Sequence, residues 1–159
     1  MRTTRPRRVT FRAMKYQFTM ERGFLRADLL DRETAEETRA FLQAVALASI
    51  NHRCSRILVH VRLSNPLFTV ERHGVLRSFK KIASDPSHRI ALLGDTLELG
   101  MSHDYVSLLG RQQGINLRSF QTEAGAVEWL RTRLGSEERR HHQIPPPREE
   151  RRQRDPDAR

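Results

Sequence analysis

The chain has 159 residues, of which 37% are hydrophobic and 6% aromatic, with 29 Lys and Arg against 19 Asp and Glu for a formal net charge of +10. That length suits one domain, and no run approaches the ~20 consecutive apolar residues of a membrane span. A single cysteine, Cys54, excludes an internal disulfide and a multi-cysteine zinc site.

Residues 1–13 carry five arginines (Arg2, Arg5, Arg7, Arg8 and Arg12) and no acid. So little apolar content cannot offset ordering entropy, and the segment is expected to be a disordered basic arm. Acid-free arms of this kind bind phosphate backbones by counterion release, so nucleic acid is one expected partner. The alternative is a physiological start at Met14, which opens the first strand directly.

Met14, Tyr16, Phe18 and Met20 alternate with Lys15, Gln17 and Thr19, the period of a half-buried strand. Glu21-Arg22-Gly23 supplies a hairpin turn, and Phe24 to Leu30 reads as the second strand. Thr34 and Glu37 form a capping box, and Phe41, Leu42, Val45 and Ala48 follow at helical spacing. Ile57, Val59, Val61 and Leu63 are predicted to share one face of a third strand, with Leu58, His60 and Arg62 on the other. A helix from about Thr69, its expected N-cap, to Ala83 presents Val70, Leu76, Phe79 and Ile82, and Asp85-Pro86 ends it. Arg89 to Gly94 is apolar on both faces, as a central parallel strand should be. The next helix is predicted to run through Met101, Tyr105, Leu108 and Leu109, and Gly114 stops it. Ile115 to Phe120 is the fifth strand. Thr122 can cap a last helix with Val127, Leu130 and Leu134 as its stripe, ended by Gly135. Residues 136–159 mix seven arginines with six acids around Pro145-Pro146-Pro147, and read as a disordered charged tail.

The folded domain is therefore expected at 14–135. Its order, ββαβαβαβα, predicts an α/β domain with a mixed five-stranded sheet: parallel strands joined through helices, preceded by an antiparallel hairpin. The polar positions of the strands, Lys15, Gln17, Thr19, Arg26, Asp28, His60, Arg62, Asn116 and Arg118, collect on one face. This predicts helices mainly on the opposite face. Lys15, Arg26, Arg62 and Arg118 then form a candidate surface for an anionic partner, or for a second copy of the chain.

No motif assembles a nucleophile, a base and an orienting group, and the glycines form neither a dinucleotide fingerprint nor a P-loop. His60, His73, His88 and His103 show no ligand-pair spacing, so no metal and no cofactor is expected. Cys54 lies two residues after His52 at a helix end, and reads as structural. Asp95 and Thr96 follow a strand that runs into a helix, where open α/β sheets take ligands, and they mark a candidate small-ligand pocket. The simpler alternative is that one of them caps the helix.

Three strings carry a family likeness: Arg89-Ile-Ala-Leu-Leu-Gly-Asp95 before a helix, Ile115-Asn-Leu-Arg-Ser-Phe120, and Glu123-Ala-Gly-Ala-Val-Glu-Trp129-Leu130. Together with the element order, they resemble the SpoIIAA-like branch of the STAS superfamily, the sulfate-transporter and anti-sigma-factor-antagonist fold, over roughly 14–134. The resemblance implies a small, non-enzymatic, cytoplasmic regulatory module of bacterial type that binds a protein partner or small ligand. It also implies a phosphorylated Ser or Thr at the helix after the third strand, between Ser64 and Gly74. The string in register, Glu71-Arg72-His73-Gly74, holds no hydroxyl, so Ser64 and Thr69 are the candidate phosphoacceptors.

Overall fold

The computed structural model describes residues 13–69, 74–83, 85 and 87–132, and the basic arm, the charged tail and Glu71-Arg72-His73 lie outside these. Nine elements follow one another: β1 (Lys15–Glu21), β2 (Phe24–Leu30), α1 (Ala35–Asn51), β3 (Arg56–Arg62), α2 (Val75–Ile82), β4 (Arg89–Gly94), α3 (Leu97–Gln112), β5 (Leu117–Phe120) and α4 (Glu123–Arg131). The expected order and mixed sheet are both present. β1 pairs antiparallel with β2, and β2 through β5 are parallel, in the spatial order β1-β2-β3-β4-β5.

That strand order dictates where the helices go. Parallel strands are joined by right-handed crossovers, and three successive crossovers stepping the same way must put their helices on the same face. Accordingly α1, α2 and α3 cover Leu25, Ala27, Leu29, Ile57, Val59, Val61, Ile90, Leu92 and Leu117 in one core cluster. α4 follows the last strand and makes no crossover, so it is free to close the other face. Its Ala126, Trp129 and Leu130 pack on Phe24, Leu58, Ala91 and Leu93 in a second cluster. Three helices on one face and one on the other agree with helices mainly on one side. Leu58, expected on the polar side of β3, is buried under α4.

Threonines start three of the helices. Thr34 completes its capping box with Glu37, while Thr96 and Thr122 accept from the amides of Leu99 and Gly125, each at 3.2 Å. α2 departs from expectation. It begins at Val75 behind Gly74, whose left-handed φ of 69° breaks the helical path, so Gly74 and not Thr69 holds its N-cap position. Arg89 crosses under α4 and donates to the carbonyls of Trp129 and Thr132, both at 2.7 Å, which satisfies that helix's carboxyl end with a cation.

α3 also differs from the sequence reading. Met101 and Leu108 were expected on its apolar stripe, yet both are exposed, and the buried positions are Leu99, Ser102, His103, Val106, Ser107 and Gly110. Small residues face inward because the helix lies close to the sheet. A Cβ on Gly110 would sit 2.9 Å from Leu117, and one on Gly94 would sit 2.7 Å from Leu99 Cβ. Gly94→Val is therefore expected to destabilise the domain by about 1–3 kcal/mol through overpacking. Val59→Asp, which would bury an unpaired carboxylate under three helices, should abolish cooperative unfolding. Urea denaturation followed by circular dichroism checks both, and a wild-type midpoint in either variant would contradict this packing.

Candidate functional site

The carboxyl ends of β3 and β4 open side by side, as parallel neighbours must, and the loops that leave them build the candidate site. After Arg62 the chain turns sharply: Leu63 has φ 48° and is 64% exposed. It was expected on the inner face of β3, but the strand has ended and its amide donates to Asp95 Oδ2 at 3.1 Å instead. Asp95 thus ties the two loops together, and Thr96 caps α3, as the simpler alternative had it.

The hydroxyl of Ser64 accepts from the amide of Arg32 at 3.1 Å and donates to the carbonyl of Arg62 at 2.8 Å. Asn65 returns the contact, its amide donating to the Arg32 carbonyl at 3.0 Å, and the Arg32 guanidinium Nη2 donates to the Asn65 carbonyl. Further on, Ser102 Oγ receives the amide of Leu67 at 2.9 Å and donates to its carbonyl at 2.5 Å. The segment 63–67 is therefore pinned to the β2–α1 corner and to α3. Thr69 is exposed. The two candidate phosphoacceptors are unlike: one hydroxyl is bonded on both sides, the other belongs to an exposed residue.

Around these loops runs a rim of exposed apolar side chains, namely Leu63, Phe68, Leu97 and Met101. Leu97 and Met101 stand one turn apart on α3. Phe68 reaches the same helix at Tyr105, with ring centroids 6.5 Å apart. Beside the rim, a groove between α3 and β5 is lined by Asp95, Thr96, Met101, Asp104 and Phe120.

The four basic residues of the candidate anionic surface are not brought into one patch. Arg26 lies in a network with its own acids. It contacts Glu123, Asp28 at 3.2 Å and Glu21 at 3.7 Å, and its Nη2 lies 3.2 Å from His60 Nδ1. Asp28, nearly fully buried, also stands 3.3 Å from His60 and 3.8 Å from Arg62. The Glu123 contact raises the Arg26 pKa and holds the Glu123 carboxyl below its usual range, whereas burial lowers that of His60. Arg118 lies on the far side of Leu58 and Ala91, three strand spacings or about 14 Å from Arg26. Its guanidinium is 5.4 Å from the Trp129 ring centroid. Lys15 is exposed on edge strand β1.

Two polar side chains are buried beneath the loops. Arg32 is 4% exposed, and desolvation lowers its pKa to about 10. His103 is 6% exposed, and burial, helped by the nearby Arg32 charge, lowers its pKa to about 4. Arg32 escaped the sequence reading because it sits in a corner without periodicity. His103 carried a usable signal: it lies four residues after Leu99, on the helix face that packs inward. Among the described residues no group of His, Cys, Asp and Glu could hold a metal, and no helix is long and apolar enough to cross a membrane. Cys54 Sγ lies 3.2 Å from the carbonyl of Arg56 and packs on the core edge.

Comparison with known proteins finds the same architecture. The chain superposes on an anti-sigma factor antagonist from Mycobacterium paratuberculosis with a TM-score of 0.52, covering 76% of this chain and 96% of that one at 11% identity. At that identity the likeness is one of fold, and it is the fold the sequence resemblance implied. No family model and no curated protein matches the sequence.

Ser64→Ala is expected to cost about 1–2 kcal/mol in urea denaturation, since it strips the Arg32 amide of its acceptor. His103 gives a pH signature. The folded state keeps it neutral down to about pH 4, while the unfolded chain takes up a proton near pH 6.5. Stability should therefore fall as pH drops from about 6.5 to 4, by up to about 3 kcal/mol from this group. Comparing pH-dependent melting of the wild type with His103→Gln isolates that part, and identical slopes would contradict it.

Proposed function

We propose that this chain is a non-enzymatic regulatory module that works by binding a protein partner in the cytoplasm, through the apolar rim at the carboxyl ends of β3 and β4. The observation that carries this reading is the rim itself. Leu63, Phe68, Leu97 and Met101 stand out of a surface whose neighbouring loops are held by hydrogen bonds to Arg32, Asp95 and Ser102. Exposed apolar clusters on a rigid frame are what protein interfaces are built from. The fold shared with an anti-sigma factor antagonist supports the same reading.

The remaining chemistry accords with binding rather than turnover. The Asp28–His60 pair resembles half of an acid–base device, but Arg26 contacts both groups and Arg62 contacts Asp28, and no hydroxyl or thiol is bonded to the imidazole among the described residues. As for a phosphoswitch, Thr69 is the hydroxyl a kinase could reach without breaking structure, because Ser64 is engaged on both sides. The domain we assign to this activity is 14–135, and a pocket at Asp95 and Thr96 would lie along its edge. A second copy of the chain is an equally concrete occupant of the rim.

A second reading has its own support in Arg2, Arg5, Arg7, Arg8 and Arg12, which give the arm five positive charges and no acid. Under that reading the chain holds nucleic-acid backbones. Changing all five to Gln in the full chain should then abolish a gel shift with duplex DNA at low salt, and an unchanged shift would exclude the arm.

The rim reading is tested with Leu97→Glu/Met101→Glu. Both side chains are more than half exposed, so the melting midpoint should move by less than about 2 °C. Affinity isolation from source cells, with light scattering for self-association, should show the wild type holding a partner or a second copy, and the variant holding neither. Equal retention by both proteins, or none by either, would overturn the reading.

A further inference from the structure

Beneath the loops, between α1, α2, α3 and the sheet, lies a partly open cavity of about 30 Å³. Its walls are apolar over most of their area, with Phe41, Val61, Phe79 and Leu92 among them, yet Arg32 and His103 also line it. Each is more than nine-tenths buried and carries a buried nitrogen without a hydrogen-bond partner, Nε of Arg32 and Nδ1 of His103. Among the described residues no carboxylate lies within ion-pair distance of Arg32. The acid that acts on it electrostatically is Glu37, whose carboxylate is already engaged by the amides of Glu33 and Thr34. A buried cation with no counter-ion among the described residues is costly, and a buried N–H without an acceptor adds to that.

We propose that this cavity is a binding site for one small monovalent anion, a halide or formate, held by Arg32 Nε–H and by the Nδ1–H tautomer of His103. Size and charge select the class. The small volume favours a compact ion over phosphate or sulfate. An apolar wall with one formal positive charge favours a singly charged, weakly hydrated ion, because a dianion would lose too much hydration for the charge it meets. The ion would complete the corner where Arg32 joins β2, α1 and the Ser64–Asn65 segment, so binding stiffens the base of the loops. This inference does not depend on the identity of any partner at the rim.

The full chain, labelled with ¹⁵N, is titrated with sodium bromide and separately with sodium formate at constant ionic strength, with sodium sulfate as the balancing salt. The Arg32 Nε–H resonance should shift saturably with one of the two, and the arm that saturates names the anion. The melting midpoint should rise along the same curve in the wild type. It should not rise in Arg32→Met, which keeps the stem and removes the charge. If Arg32→Met fails to fold, the wild-type Nε–H titration decides alone. An Nε–H resonance that moves with neither anion, or equally when sulfate alone is raised, means the cavity holds water, and overturns the proposal.

Discussion

The monotonic order of the strands is the constraint from which the rest of this structure descends. With β2, β3, β4 and β5 laid down side by side in parallel, right-handed crossovers leave α1, α2 and α3 no choice of face. All three connecting loops after β2, β3 and β4 then emerge along the same edge of the sheet. Arg32, Ser64, Asn65 and Asp95 meet there as a consequence of topology, since they belong to neighbouring strand ends. The hydrogen bonds among them convert three separate loops into one frame.

The same constraint explains why the second face is mixed in character. One helix cannot cover five strands. α4 buries the stripe from Phe24 through Leu58 and Ala91 to Leu93, and beyond its reach Arg26, Asp28, His60 and Arg62 are polar. There the charges answer one another: Asp28 lies beside Arg26, Arg62 and His60, and Glu123 at the start of α4 reaches Arg26. A face that looks cationic when its basic residues are counted is largely neutralised by acids arriving from the next strand and from the covering helix.

How much of this could be read in advance depends on which physical signal each residue leaves in sequence. Strand alternation and threonine caps are local, so the nine elements and Thr34, Thr96 and Thr122 were legible. Close approach is not local. Nothing near Gly94 or Gly110 announces that Leu99 and Leu117 come within 3 Å of where a methyl group would be, and of the large residues named along α3, Met101 and Leu108 lie outside. Arg32 was illegible for a related reason. Its burial is produced by Asn65 and Ser64 from thirty residues away, and a corner arginine ordinarily reads as solvated. The candidate site was legible in its location at the strand ends and illegible in its chemistry.

The last helix is fastened to the first hairpin: Arg131 Nε donates to the Arg22 carbonyl at 3.1 Å, and its guanidinium lies 5.5 Å from the Phe24 ring centroid. During synthesis the hairpin and the three crossover units can assemble one complete side of the sheet while Phe24, Leu58, Ala91 and Leu93 still face water. Those side chains find cover only when residues 123–131 leave the ribosome. Until that helix docks, one side of the sheet keeps an adhesive apolar stripe uncovered.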